Sequence, residues 1–321
     1  MKRMTEVGTA TFNDSDEYQA GVGSASVSLV LTGRGDFKAR LTWLKFRHLQ
    51  ALCGRENMSR IAFVSLLPGR VFASLSLKSE APTIWSGVEL RPGDIVFHSL
   101  GERAHQWTQG ANHWGIISLP PDGLAAWGKV LTGSKLTPPL AGRVLRPSPP
   151  AIANLRRILS SACRVAETKP EIIAEHEAAR ALEQELIHAL VTCLTANDAH
   201  CTLATKRHHA EIMLRFEDAL AARVDRQPSV SALCAAIGVP ERTLQACCVE
   251  FLGMSPSRYL RLRRFNMVRA ALRRADPATA TVAEIAQRYV FMDLGRFASD
   301  YREIFGEMPS ATLRHTAIKL A

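Results

Sequence analysis

Apolar residues follow two different periods along this chain of 321 residues. Between residues 26 and 119 they alternate with polar ones or form short β-branched runs, which is typical of strands. The clearest stretches are Phe37 to Trp43, IAFVSLL (61–67), VFASLSL (71–77), DIVFHS (94–99) and HWGIISL (113–119). Pro-Gly and Pro-Pro pairs separate several of them, as expected at turns. Many short strands with close turns predict an antiparallel barrel or sandwich over residues 1–148.

After the RPSPP segment at Pro147 the spacing becomes helical. One predicted helix has a stripe of Ile152, Leu155, Ile158, Leu159 and Ala162. A second, from about Glu171 to Leu194, has Leu182, Leu186, Ala189, Leu190 and Cys193 on one face, with Glu175, Glu183 and Glu185 elsewhere. An antiparallel helix pair over residues 149–196, packed on the barrel, explains both stripes. Its outer face could pack within the chain or form a dimer contact. The segment 197–209 has little periodicity and is predicted to be a linker.

Residues 281–305 predict two short helices across a tight turn. Thr281 and Glu284 have the capping-box spacing, and Asp293 offers a second helix start. The second helix has three inward rings, Phe297, Tyr301 and Phe305, before a stop at Gly306 and Pro309. A helix pair of this kind, polar and basic on the outer face of its second helix, is typical of the helix-turn-helix that enters the DNA major groove.

The same arrangement occurs upstream, over residues 229–252. Its predicted buried positions and turn residues are Val230, Leu233, Ala236, Gly238, Pro240, Leu244 and Cys248. Between the two units, Ser255 to Arg274 predicts one continuous helix whose apolar stripe is Tyr259, Leu262, Phe265, Val268 and Leu272, surrounded by seven arginines. A rigid connector would hold two reading helices at a fixed separation, so that they could enter successive major grooves.

These residues resemble the AraC/XylS transcription regulators. The resemblance lies in PERTLQACCVEFLGMSPSRYLRLRRFNMVRAAL and in TVAEIAQRYVFMDLGRFASDYREIFGEMPSATLR, which together cover roughly the last third of the chain. It implies an all-α C-terminal domain (210–321) of two helix-turn-helix units joined by a long helix, and a cupin-like N-terminal barrel that often binds a small effector. It also implies RNA polymerase as a partner and a homodimer formed by the helix pair.

Seven residues are predicted to contact DNA. They are the outward positions Arg242, Thr243 and Gln245 in the first unit, and Gly295, Arg296, Ser299 and Arg302 in the second. Arginine suits guanine edges or phosphates, and Gly295 would permit a close approach. The first unit departs from the family pattern at Ala246, Cys248 and Val249, where basic or polar residues and a core aromatic are usual.

Charge agrees with a polyanionic partner. The formal net charge is +10 and the isoelectric point about 9.6. From Lys206 onward there are 18 Lys/Arg against 12 Asp/Glu, a net of +6 in little over a third of the chain. The start of the chain has no apolar stretch like that of a signal peptide, and no run approaches a membrane span, so a cytoplasmic protein is expected. Seven irregularly spaced cysteines indicate reduced thiols, and Cys247 and Cys248 are predicted to be core residues.

One constellation could suggest chemistry in the barrel. His98, His105 and His113 lie near Glu102, a donor set that transition metals accept, although the spacing lacks the close HxH pair of metal-binding cupins. Separate hydrogen-bonded histidines are the alternative. Trp85, Trp107 and Trp114 could line a pocket or fill the core. No catalytic motif accompanies them, so no cofactor, metal or reaction is predicted.

The predicted function is therefore that of a sequence-specific DNA-binding regulator, an effector-responsive activator of a nearby operon rather than an enzyme. Two alternatives remain open. A metal-binding cupin-type enzyme would retain bound metal after purification in chelator-free buffer. A non-specific architectural DNA-binding protein would show no preference for a promoter over bulk DNA across a salt series.

Overall fold

The computed structural model of the protein describes residues 5–78, 81–195, 199–202, 206–222 and 228–319. The strands in these ranges are β1 (Glu6–Phe12), β2 (Ala25–Leu31), β3 (Ala39–Lys45), β4 (Gln50–Glu56), β5 (Arg60–Leu66), β6 (Val71–Lys78), β7 (Thr83–Trp85), β8 (Val88–Leu90), β9 (Ile95–Phe97), β10 (Arg103–Thr108), β11 (Asn112–Leu119), β12 (Arg143–Leu145) and β13 (Ala199–Thr202). The helices are α1 (Ser15–Gly21), α2 (Pro121–Thr132), α3 (Pro149–Thr168), α4 (Pro170–Ala174), α5 (His176–Thr195), α6 (Arg207–Ala221), α7 (Val230–Ile237), α8 (Glu241–Leu252), α9 (Pro256–Arg274), α10 (Val282–Arg288), α11 (Leu294–Phe305) and α12 (Pro309–Lys319).

The N-terminal half consists of two antiparallel sheets. One has the order β1-β3-β4-β11-β6-β9-β12-β13, and the other has the order β2-β5-β10-β7-β8. Side chains from both sheets meet in a common core that includes Leu29, Leu41, Leu52 and Ala62, closed at one side by Tyr18 of α1. The prediction of an antiparallel barrel or sandwich is confirmed in the form of two antiparallel sheets, and strands β3, β5, β6, β9 and β11 lie on the five predicted stretches.

Helices cover the outer face of the eight-stranded sheet. The stripe of α3 predicted from the sequence is entirely buried, and it joins Leu186 and Leu190 of α5 and Ile117 of β11 in the largest core of the protein. At the sheet surface, Glu167 of α3 accepts hydrogen bonds from Arg40 Nη1 at 2.9 Å and Thr42 Oγ1 at 3.2 Å. The prediction of a helix pair packed on the barrel is therefore confirmed.

Two details of that pair differ from the prediction. The second helix is broken at Glu175, whose backbone is extended (φ −60°, ψ 133°), so that α4 and α5 replace one continuous helix. Glu183, predicted on the polar face, is 8% exposed. Its Oε1 accepts hydrogen bonds from the backbone N–H groups of His48 at 2.5 Å and Leu49 at 2.9 Å. The turn between β3 and β4 presents two donors that need an acceptor once α5 covers them.

The predicted linker is partly built into the barrel. Strand β13 lies within 197–209 and pairs with β12, and α6 begins at Arg207, whereas residues 197–198 and 203–205 lie outside the described residues. Helix α2 was not predicted because its apolar residues follow the proline pair that suggested a turn. It begins at Pro121, a position where proline is tolerated, and ends at Gly133 with φ 76°.

The C-terminal domain has two cores, one for each helical unit. Phe216 of α6, Leu233 of α7, and Leu244 and Phe251 of α8 share the first with Tyr259 of α9. The second core contains Phe265, Val268 and Leu272 of α9 together with buried residues of α10, α11 and α12. Helix α9 therefore belongs to both cores and connects them rigidly.

This domain packs against the outer face of the five-stranded sheet. Val30, Ile61 and Trp107 of the sheet contribute to the first helical core. Gly253 after α8 has φ 69°, and a Cβ there would lie 2.3 Å from the Trp107 ring, so only glycine permits this approach. The helical domain also provides hydrogen bonds to the backbone of the edge strand β2. The Asn266 side-chain amide of α9 accepts from Leu31 N at 3.0 Å and donates to Leu31 O at 3.2 Å.

Among the helices described, none combines the length and the apolar character needed to cross a bilayer.

Candidate nucleic-acid interface

The first reading helix, α8, is positioned by the turn that precedes it. The Ser229 hydroxyl caps α7 by accepting from Ala232 N at 3.2 Å, and Gly238 ends that helix with φ 69°. Ala236, predicted to be buried, is exposed, and Cys234 and Ile237 are buried instead. The prediction placed buried residues at every third position, but an α-helix has 3.6 residues per turn, so the third residue of such a series has rotated off the buried face.

Helix α8 separates buried and outward residues clearly. Leu244, Cys247, Cys248 and Phe251 are buried, as predicted for Leu244 and Cys248. Burial raises the pKa of Cys247 to about 11 and raises that of Cys248 as well, which keeps both thiols protonated and unreactive. The opposite side carries the three predicted DNA-contact residues: Arg242 and Gln245 are exposed and Thr243 is half-buried.

The second unit begins with the predicted capping box. Glu284 N donates to Thr281 Oγ1 at 3.2 Å, and Thr281 N donates to Glu284 Oε2 at 3.0 Å. Hydrogen bonds from Thr281 lower the pKa of the exposed Glu284 carboxyl. The turn ends at Asp293, whose Oδ1 accepts from Arg296 N at 2.9 Å and caps α11. Both predicted helix starts are therefore confirmed.

A cluster of aromatic rings fixes α11 against α9. The Phe265 and Phe297 rings are stacked at 5.7 Å with an interplanar angle of 5°. Phe291 packs against both, with its ring centroid 4.6 Å from that of Phe265 and 4.8 Å from that of Phe297. The Tyr301 hydroxyl lies 2.8 Å from Thr312 Oγ1 of α12. Because this inward face is rigidly packed, the direction of the outward face is also fixed.

The outward face of α11 carries the other four predicted residues. Gly295, Arg296, Ser299 and Arg302 are all exposed. Asp300 engages Arg261 of α9 at 2.6 Å but lies 3.9 Å from Arg296 Nε, and the Arg296 side chain is 79% exposed. The guanidinium of Arg296 is therefore held near the surface without being buried by its ion pair.

The arginines of α9 divide between different partners, which the prediction of a basic rod did not anticipate. Arg273 donates to Asp14 Oδ2 at 2.7 Å and to Asn13 O at 3.0 Å, and Arg274 bonds Asp16 of α1. Arg269 is 4% exposed and lies 4.6 Å from the centre of the Phe305 ring. These three arginines stabilise the protein's own packing, whereas Arg258 near the start of α9 is exposed.

A buried polar network joins the C-terminal domain to the barrel. Glu217 Oε1 of α6 lies 3.0 Å from His105 Nε2 of β10 and accepts from the Tyr259 hydroxyl of α9 at 2.9 Å. Burial alone would raise the pKa of Glu217, but the hydrogen bond and charge of His105, with Arg263 and Tyr259, hold it below the ordinary value. Beside it, Arg103 of β10 donates to Asp218 Oδ1 at 2.5 Å.

The other predicted histidines have separate environments. His98 is buried, with Nε2 at 2.8 Å from Ser74 Oγ and Nδ1 at 3.3 Å from Glu102 Oε1. His113 is half-buried on β11. No group of three potential ligands converges within the described ranges, so His98, His105 and His113 are not brought together. Trp85 and Trp114 line a cavity inside the barrel, whereas Trp107 packs against Gly253.

Sequence reasoning missed the residues that connect the two domains. Glu217 lies 112 residues from His105, and Asp14 lies 259 residues from Arg273, so no local pattern marks either pair. A weak signal existed for Glu217, because it occupies the apolar stripe of α6 between Phe216 and Leu220. The buried pair Glu56 and Arg60 was missed for another reason: the two residues are only four apart in sequence, but nothing in the pattern of the strands indicates that both are buried.

Comparison with known proteins places the similarity in this region. A helix-turn-helix domain family matches residues 233–315. A probable thc operon regulatory protein of Rhodococcus erythropolis is 41% identical over 97 residues, which are 30% of this chain and 29% of that protein. The XylDLEGF operon transcriptional activator of Pseudomonas putida is 35% identical over 96 residues, 30% of each protein. The chain thus spans less than a third of the length of these curated relatives.

Among solved structures, the chain is similar to a probable AraC family transcriptional regulator from Rhodopseudomonas palustris CGA009. The likeness covers 33% of this chain and 96% of that one, at 31% identity and a TM-score of 0.30.

Proposed function

Because residues 233–315 match a helix-turn-helix domain family and are similar to operon regulators, we propose that the protein is a sequence-specific DNA-binding regulator of transcription of the AraC/XylS type. The observation that carries the proposal is the pair of outward faces on α8 and α11, each with exposed polar residues, on two units that share the helix α9. Two such faces on one rigid connector suit successive major grooves.

The second unit supplies two of the three arginines in this proposal. Arg296 and Arg302 can each donate two hydrogen bonds to a guanine edge or bind phosphates, and Gly295 leaves room for the DNA backbone. The first unit contributes Arg242, Thr243 and Gln245. Beside them Val249 is 51% exposed and Ala246 is exposed, which suits contact with thymine methyl groups rather than phosphates.

Regulation would follow from the docking of the two domains. The helical units are held on the barrel by the Glu217 network, by Arg273 with Asp14, and by Asn266 with β2. A small effector that binds one arrangement of barrel and helical domain better than another would shift the population between them. We propose activation of an operon, as the name of the Pseudomonas putida relative indicates for that protein. No enzymatic step forms part of the proposal.

The proposed function also includes a cellular location and protein partners. We propose that the protein acts in the cytoplasm, contacts RNA polymerase and forms a homodimer through the outer face of the α3 and α5 pair. Sedimentation of the full chain at micromolar concentration tests the dimer, and a monomer would remove that part.

The test of the proposed function is selection of bound sequences by the full chain from a random DNA duplex pool. The selected site and bulk DNA are then compared by fluorescence anisotropy across a salt series. We expect the selected site to bind at least about 10³-fold more tightly near physiological salt. Equal affinities that fall together with salt would reduce the interaction to counterion release and overturn the proposal.

A further inference from the structure

The two sheets of the barrel enclose a cavity that the helical domain does not occupy. Its volume is about 80 Å³ on a scale where one water takes roughly 10 to 15 Å³, so it can hold a molecule of about one ring with short substituents. The walls are mostly aliphatic or aromatic. Polar residues that line the cavity include Tyr18, Ser24, Glu56, Arg60, Asn112 and Trp114.

Three of the lining residues have polar atoms without partners. Arg60 Nη1, Asn112 Nδ2 and Ser24 Oγ make no hydrogen bond to any part of the chain that the structure describes. Arg60 is 3% exposed and Asn112 is 6% exposed, so solvent does not satisfy them from outside. The first two atoms are donors only, and the third can donate. A buried donor without an acceptor is costly, and each therefore favours a ligand that brings one.

The buried charged residues of the cavity are already paired with each other or with neighbours. Glu56 accepts from Arg60 Nε at 2.7 Å and Nη2 at 3.3 Å, from the Tyr18 hydroxyl at 2.6 Å and from Trp114 Nε1 at 2.9 Å. Burial and the charge of Glu56 raise the pKa of Tyr18, which keeps the phenol a donor. The other lining carboxylate, Asp94, is paired with Arg146 at 3.1 Å. Arg91, the other cation of the lining, is exposed to solvent, so no buried cation remains to neutralise an anionic ligand.

We propose that this cavity binds a small, uncharged and largely apolar molecule with a carbonyl-type oxygen, which accepts hydrogen bonds from Arg60 and Asn112. The aliphatic and aromatic wall binds the body of the molecule. Ser24 offers a further hydrogen bond. Ketones, esters, lactones and amides of about one ring satisfy this description, whereas carboxylic acids do not.

The position of the cavity links it to the proposed function, on which this step rests. Among the residues that the structure describes, the five-stranded sheet separates the cavity from the helical domain along β2 and β5: Leu29 and Ala62 line the cavity, while their neighbours Val30 and Ile61 pack with α6 and α8. A ligand that displaces these strands therefore acts on the surface on which the DNA-binding units are docked.

Three compounds of one skeleton test the ligand class: acetophenone, ethylbenzene without an acceptor, and benzoate with a charge. Binding to the full chain is measured by calorimetry in the absence of DNA. We expect acetophenone to bind at least about 10-fold more tightly than either of the others, as one hydrogen bond to a buried donor provides. Ethylbenzene equal to acetophenone would overturn the acceptor role, and tighter benzoate would overturn the neutral class.

Two single-residue variants test whether the compounds bind in this cavity. Asn112→Leu removes an amide nitrogen that has no partner in the described chain, and should reduce the advantage of acetophenone over ethylbenzene several-fold while leaving ethylbenzene binding within a few-fold. Asn154→Leu, at an exposed position of α3, is the control and should change neither compound. An unchanged advantage in a folded Asn112→Leu protein would overturn the site, as would absence of binding by all three compounds at millimolar concentration. Because no DNA is present, failure here leaves the site-selection result untouched.

Discussion

Val290 occupies the turn of the second unit with φ 63°, a left-handed conformation that costs a β-branched residue. The turn requires it, because Phe291 N donates back to Ala286 O at 3.0 Å and Phe291 must reach the ring cluster. The sequence predicts a break here but does not reveal the strain. Only the fixed positions of α10 and Phe291 impose this backbone conformation on valine.

Replacement of Val290 by glycine should relieve this strain. We expect Val290→Gly to raise the free energy of unfolding by about 0.5 to 1 kcal/mol, the left-handed cost less the entropy that glycine loses on folding. Val290→Ala, which keeps Cβ, is the matched control and should gain less. Urea denaturation of the full chain measures both, and a less stable glycine variant would show that the turn is not strained.

Arg296 is the residue on which the proposed DNA contact can be tested most directly. Arg296→Ala should lower affinity for the selected site by about 1 to 3 kcal/mol and relax the preference at one base pair, if the guanidinium reads a base edge. Arg47→Ala, which removes the same charge from an exposed site in the barrel, should leave binding unchanged. Anisotropy at fixed salt measures both variants. Equal affinity of Arg296→Ala and the unmodified protein would contradict the assignment.

At the scale of elements, the two helical units share a design but differ in their boundaries. In the second, both helices begin with a side-chain cap, Thr281 and Asp293. In the first, α8 follows Pro240 without a side-chain cap. The second unit is therefore the better defined locally, and its helix starts could be read from the sequence alone.

The capping box makes a testable contribution to stability. Thr281→Ala should cost about 1 kcal/mol of unfolding free energy, because the N–H of Glu284 loses its acceptor. Thr192→Ala is a suitable control: that hydroxyl bonds back to His188 O at 2.9 Å within α5, and alanine is the better helix former there. Urea titration of each variant checks the difference. Equal losses would mean that the box has no specific role.

At the scale of the whole molecule, the barrel and the helical domain are joined by buried acids whose pKa values are lowered on folding. Burial tends to raise the pKa of both carboxyls. His105 outweighs this effect at Glu217, and the backbone N–H of Glu17 together with Arg273 outweighs it at Asp14, so both pKa values are lowered. Asp16 is shifted the other way, since burial and the nearby Asp14 charge raise its pKa. The lowered pKa values of Glu217 and Asp14 make the docked arrangement of the two domains more stable at neutral pH than at acid pH.

Stability should therefore depend on pH in a defined direction. An acid whose pKa is lower in the folded protein stabilises it above the ordinary carboxyl value and loses that effect as the pH falls. We expect the unfolding free energy to decrease below about pH 4.5. Glu217→Gln, which keeps the acceptor for Tyr259, should flatten this decrease. Glu185→Gln, at an exposed site of α5, serves as the control for loss of one carboxylate. Parallel curves for Glu217→Gln and the unmodified protein would exclude Glu217 as a contributor.

The sequence by itself determined what depends on neighbours within a few residues. The strand stretches, the stripe of α3, the Thr281 and Asp293 caps and the inward rings of α11 are all present as predicted. The sequence also predicted which residues of α8 and α11 face outward. The reason is that hydrophobic periodicity and capping are local interactions, legible over one or two turns.

The tertiary structure alone decided which polar groups are buried and what they contact. Glu183 was expected on a polar face and instead satisfies a β-turn, and Arg273 and Arg274 were assigned to the basic rod and instead hold α1. Glu56 and Arg60 became the charged pair of a cavity. A charged residue is ordinarily assumed to face water, and only the tertiary structure shows that it is buried and brings together the partners, near or distant in sequence, that compensate for the loss of water.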